Sequence, residues 1–120
     1  MTDLERFVRG EWDPAAFQHR DHVRMGFEML QRYTFDEAVF RFSTALRAMT
    51  AAAGKPQAFN QTVTIAFLSL IAERLEAGNH VDFDSFAALN PELLDKSTLS
   101  DRYRPERLAT DLARRTFLLP

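Results

Sequence analysis

Residues 58–78 read AFNQTVTIAFLSLIAERLEAG, and apart from a narrow strip at Thr62, Ser69, Glu73 and Glu76 this stretch is apolar most of the way round a helix. A helix of that kind needs cover on nearly every side, so it is expected to be the central element of a helical bundle or the face of a homodimer. Gly78 ends it, and Gly54 with Pro56 separates it from the segment before. Advancing about 100° per residue places Asn60 and Thr64 on the same face as Val63, Phe67 and Ile71, and turns Thr62 the opposite way. Two inward polar groups need partners, since an unpaired buried amide or hydroxyl costs about 1 to 3 kcal/mol.

Upstream, TFDEAVFRFSTALRAMTAAAG at 34–54 opens on a capping-box pattern, Thr34 with Glu37, and ends at Gly54. Phe35, Ala38, Val39, Phe42, Leu46, Met49 and Ala53 recur at helical spacing as one apolar stripe. Before it, Asp13-Pro14 signals a helix start, and the pattern runs to Tyr33 with a break near His19. A short first helix over 2–9 is capped by Thr2 and stopped by Gly10. In the last third, Asp82 or Asp84 opens a helix through Leu89, Asn90-Pro91 opens another through Asp95, and Pro105 opens a final one. That final helix is expected to face Leu108, Ala109, Leu112 and Thr116 inward, with Phe117-Leu118-Leu119 folding back on the body. The fold class is therefore all-α: one helical domain over 1–120, an irregular bundle of three longer helices plus short C-terminal ones.

Composition narrows the function. The chain has 120 residues, 46% apolar and 27% charged, an ordinary globular balance, and its eleven phenylalanines imply a ring-rich core or pocket. A net charge of −2 offers no field for a phosphate backbone, so nucleic acid is not an expected partner. No apolar run approaches the roughly 18 residues of a membrane span, and the start carries no signal-like core, so the expected location is the cytoplasm. With no cysteine, thiolate metal sites and cysteine nucleophiles are excluded. Phosphate loops, the G-x-S-x-G elbow and the H-E-x-x-H pair are absent as well.

The stretch that carries chemistry is Gln18-His19-Arg20-Asp21-His22-Val23-Arg24. Its histidines are three apart, hence neighbours on one helix face, and that face is shared with Val23, Gly26, Leu30 and Tyr33. Both imidazoles are expected to point inward, His19 only if the helix is continuous there. His19, His22, Asn60 and Thr64 are the candidate ligand-binding set, satisfying one another, a water or a ligand, and Arg24 flanks them as a receiver for an anion.

HRDHVR at 19–24, FNQTVT at 59–64, NPELLDK at 90–96 and RPERLATDLARRTFLLP at 104–120 together resemble a set of small bacterial helical proteins with no assigned activity. The resemblance implies a histidine at the position of Asn60, followed by threonines matching Thr62 and Thr64, and so a three-histidine cluster. This chain departs from that pattern. An amide oxygen is a poor substitute for imidazole toward zinc or iron, so no metal and no cofactor are expected. Three readings follow: a small-molecule pocket at the histidine pair, a non-catalytic interaction or homodimeric module, and a metal-binding helical protein. Against all three stands the plain alternative that two histidines on an apolar face are satisfied core residues.

Overall fold

The computed structural model describes residues 1–120, and every regular element in it is helical. Seven α-helices follow in order: α1 (Asp3–Arg9), α2 (His19–Arg32), α3 (Phe35–Ala52), α4 (Gln61–Ala77), α5 (Phe83–Leu89), α6 (Pro105–Leu108) and α7 (Asp111–Arg115). Short 3₁₀ turns at Pro14–Ala16, Pro56–Ala58, Pro91–Leu94 and Lys96–Asp101 join them. No helix is long and apolar enough to cross a membrane.

The helix ends follow local hydrogen-bond chemistry. Thr2 accepts from the Glu5 amide at 3.1 Å, and Gly10 closes α1 at a φ of 71°, a conformation that glycine adopts without strain. Asp13 caps only a 3₁₀ turn, because the Asp21 carboxylate accepts the Gln18 amide at 2.9 Å and starts a new helix at His19. The break near His19 is therefore real. The capping box expected at Thr34 does not form: Thr34 makes no side-chain cap bond, and Glu37 accepts from Arg41 at 3.0 Å instead. Helix α4 begins at Gln61 rather than Ala58, since Pro56 opens a separate turn and Asn60 becomes the cap. Asp82 caps α5 as expected, accepting from Ser85 at 2.9 Å.

Helix α4 is central. It packs against α2, α3, α7 and the two 3₁₀ turns of the last third. The apolar circumference that suggested a homodimer face is thereby covered within the chain. Where α2 crosses α4, Gly26 lets the two approach closely: a Cβ there would come within 2.9 Å of Ile71 Cδ1 and 3.1 Å of Leu68 Cδ2. On one side of this crossing, Phe7, Met25, Met29, Phe42 and Leu68 form one buried cluster. On the other, Val23, Phe27, Leu70, Phe86 and Leu93 form a second, with Leu30 packed against both. Each such side chain contributes about 1.5 to 3 kcal/mol by leaving water.

Thr62 turns away from the face of Val63 and Phe67, as expected, and there it is fully buried, donating to the Thr116 carbonyl at 2.7 Å and accepting the Leu118 amide at 3.1 Å. The N-terminal end of the polar strip of α4, at Thr62, is thus where the C-terminal tail is fastened. The facing of the final helix is corrected. The final helix is split: Thr110 accepts from Ala113 at 3.1 Å and starts α7 afresh, so the register rotates. Ala113 becomes the fully buried residue, while Leu112 is half exposed and Ala109 and Thr116 face solvent.

Candidate functional site

A cavity of about 300 Å³ opens between α2, α3 and α4. Its floor is apolar and buried, formed by Val23, Phe42, Leu68 and Ile71. The walls add Phe17, Met49, Phe59 and Phe67, and the exposed residues Ala53, Lys55 and Ala58 mark its mouth. Both histidines reach it, although His19 is the first residue of α2.

The pair is unequal. The rings lie 6.1 Å apart between centroids. His19 Nε2 donates to the Leu93 carbonyl at 3.0 Å, which assigns the proton to Nε2 in the neutral ring and ties α2 to the last third of the chain. Its ring also meets the edge of Phe67 at 5.2 Å. His22 bonds to no protein group; its ring lies 4.6 Å from Phe17 and 6.4 Å from Phe42. Burial holds the His22 imidazole down to about 4, and the fields of His19 and Lys96 add to the effect while Asp21 opposes it. At neutral pH His22 is therefore an uncharged ring offering one donor and one acceptor to the cavity.

The side chains of Asn60 and Thr64 bond to backbone rather than to the histidines, whereas the sequence left one another, a water or a ligand as the partners of all four groups. Asn60 Oδ1 accepts from the Val63 amide at 3.0 Å and its Nδ2 donates to the Leu108 carbonyl at 2.8 Å. Thr64 Oγ1 donates to the Asn60 carbonyl at 2.8 Å. Both line the cavity, but their bonds are local and structural. Asn60 is the cap of α4 rather than part of its first turn, yet it lines the cavity beside Val63, Thr64, Phe67 and Ile71, the face that the sequence gives it.

Arg24 is not part of the cavity. Its guanidinium bonds Asp3 at 2.5 Å, lies 3.7 Å from Glu28 and 3.9 Å from Asp21, and stands over the Trp12 ring. These charges consume it as a clamp between α1 and α2. No group of three or more His, Cys, Asp or Glu side chains is placed to hold a metal ion. The third histidine, His80, is elsewhere: its Nε2 donates to the Arg74 carbonyl at 3.3 Å and its ring packs edge-on against Phe86.

Sequence reasoning missed Phe17, Phe59 and Lys55. None lies in an α-helix, although the sequence reading extended helices over Phe17 and Phe59, and each adjoins a 3₁₀ turn. Phe42, Leu46 and Met49 were legible as an apolar stripe, but nothing in the spacing distinguishes a stripe that meets another helix from one that borders a space. Comparisons with known protein families, with curated proteins and with solved structures found no match.

Proposed function

We propose that this chain binds a compact, uncharged, largely apolar small molecule that carries one hydrogen-bonding group directed at His22. The observation that carries this reading is the contrast among the polar groups of the cavity. His19 (through Nε2), Asn60 and Thr64 are each committed to a backbone partner, whereas neither ring nitrogen of His22 has one. A volume of about 300 Å³ is at the small end of ligand pockets, which run from roughly 300 to 1,000 Å³. That favours a molecule on the scale of a substituted ring, held by Phe42, Phe59 and Phe67 and oriented by one bond to imidazole.

The test is a titration with benzyl alcohol followed through the His22 ring protons by nuclear magnetic resonance. Saturable shifts are expected at His22, lost in Ala58→Trp, which places an indole at the mouth from an exposed position. Shifts that stay linear, or that persist unchanged in Ala58→Trp, overturn the reading. Self-association is a second reading, supported by Phe40, which stands 70% exposed on α3. Sedimentation of the parent against Phe40→Asp tests it, and a monomer at every concentration in both removes it.

A further inference from the structure

Beside the cavity, on the far side of the Phe59 ring, lies a second concavity lined by Arg47, Thr50, Phe59, Asp111, Arg114 and Arg115. It gathers three guanidinium groups and a single carboxylate. That carboxylate, Asp111, is engaged by Arg114 at 2.6 Å. Arg115 donates from Nε to the Asp111 backbone carbonyl at 3.4 Å and has no carboxylate partner.

Arg47 is the informative member. It is fixed on two sides by groups that carry no charge. Its guanidinium donates to Gln61 Oε1 at 2.6 Å, and its central carbon lies 4.7 Å from the centre of the Phe59 ring. Gln61 is itself buried and held in place, donating from Nε2 to the buried Ser43 hydroxyl at 3.1 Å. A glutamate at 61 would position Arg47 and neutralise it; the amide positions it and leaves the charge free. Four of the five N–H donors of a guanidinium remain after one bond, in the planar fork that matches an oxyanion.

We propose that this cleft is a binding site for an oxyanion, a phosphate or carboxylate group, with Arg47 as its principal donor and Arg115 as its second. The site stands on residues other than His22 and does not require the cavity to be occupied. Phe59 and Thr50 nevertheless line both spaces, so one ring separates the cleft from the cavity. The oxyanion has two sources: a free anion, or the charged end of a molecule whose apolar part occupies the cavity.

The experiment is calorimetric titration of the full chain with inorganic phosphate and pyrophosphate at constant ionic strength, with chloride as the control. Saturable binding is expected for both oxyanions and none for chloride. Arg47→Gln is expected to weaken it at least tenfold. Gln61→Glu, checked for an unchanged helical spectrum, is expected to do the same by supplying Arg47 with an internal counter-charge. Arg20→Gln, a remote arginine paired with Asp84, serves as the control for loss of one positive charge and is expected to bind as the parent does. Equal affinity in the parent and Arg47→Gln, or no phosphate binding by the parent, overturns the proposal. Hexyl phosphate separates the two sources. Binding tenfold tighter than phosphate, and reduced by Ala58→Trp, assigns the anion to a ligand shared with the cavity, whereas equal binding assigns it to a free anion. Failure of benzyl alcohol to bind leaves the phosphate result standing, so the two readings fail separately.

Discussion

Thr62 and Leu118 are joined by a hydrogen bond of 3.1 Å in which the threonine hydroxyl accepts the leucine amide, while the same hydroxyl donates to Thr116 at 2.7 Å. One buried side chain thus uses donor and acceptor together to fasten an extended segment to the central helix. Tyr103 and Arg107 continue the attachment, donating to the Leu118 and Leu119 carbonyls at 2.7 and 3.0 Å. Thr62→Val keeps the shape and removes both bonds, leaving a donor and an acceptor of the tail without their partner. A loss of about 1 to 3 kcal/mol is expected in urea unfolding, with faster proteolysis of residues 116–120. An unchanged midpoint would show that the tail contributes nothing.

His22 makes stability depend on pH in a definite direction. Its ordinary value of 6.5 is lowered to about 4 in the folded chain, so between those values the unfolded state holds a proton that the native state refuses. The contribution is complete above pH 6.5 and is lost as pH falls toward 4, by up to about 2 to 3 kcal/mol. Carboxylates titrate at the lower end of this range, so the quantity to measure is the difference between the parent and His22→Phe. The parent is expected to gain stability relative to the variant as pH rises from 4 to 6.5, and the two curves to run parallel above it. Parallel curves throughout would place the imidazole in water.

His19 and His22 are expected to differ when truncated. His19→Ala leaves the Leu93 carbonyl without its donor and should cost about 1 to 3 kcal/mol. His22→Ala strands no protein group, so at pH 7 its cost is confined to lost packing against Phe17 and should be the smaller of the two. Thermal melts of both variants at pH 7 check the order, and the reverse order would contradict the assigned partner of His19.

Gly26→Ala sets two effects against each other. Alanine is favoured in a helix by about 1 kcal/mol, but its methyl would press on Ile71 and Leu68, and overpacking of a tight crossing costs about 1 to 3 kcal/mol. A net loss of about 1 kcal/mol is expected in thermal or urea unfolding. A gain would show that Ile71 turns aside freely, which the cavity next to it on α4 would permit.

Much of the helical plan was legible in the sequence because it rests on local rules. Gly10, Asp82 and the stripe from Phe35 to Ala53 act through neighbours in the chain; the glycine and the cap behave as their patterns imply, and the stripe turns inward from Ala38 to Met49 while its ends, Phe35 and Ala53, are exposed. Local rules failed at Thr34, which makes no cap bond, and at Thr110, which restarts the final helix; elsewhere a distant segment decides the outcome. The direction of Thr62 is legible in its own helix, but its burial is not, because a tail more than fifty residues away covers it. The histidine pair was legible as inward, yet its asymmetry depends on the Leu93 carbonyl, a backbone group that no side-chain pattern reveals. Arg24 was drawn away from the site by Asp3, which belongs to another helix.

The bonds from Thr62 to Thr116 and Leu118 span 54 and 56 residues of chain. During synthesis at about 5 to 20 residues per second, helix α4 therefore waits roughly 3 to 11 s between its first turn and the arrival of the segment that covers its polar seam. Through that interval the nascent protein can assemble α1 to α4 around Gly26, but one flank of its central helix still faces water. Until residues 116–118 close that flank, it is a surface that partners recognising unfinished proteins can bind.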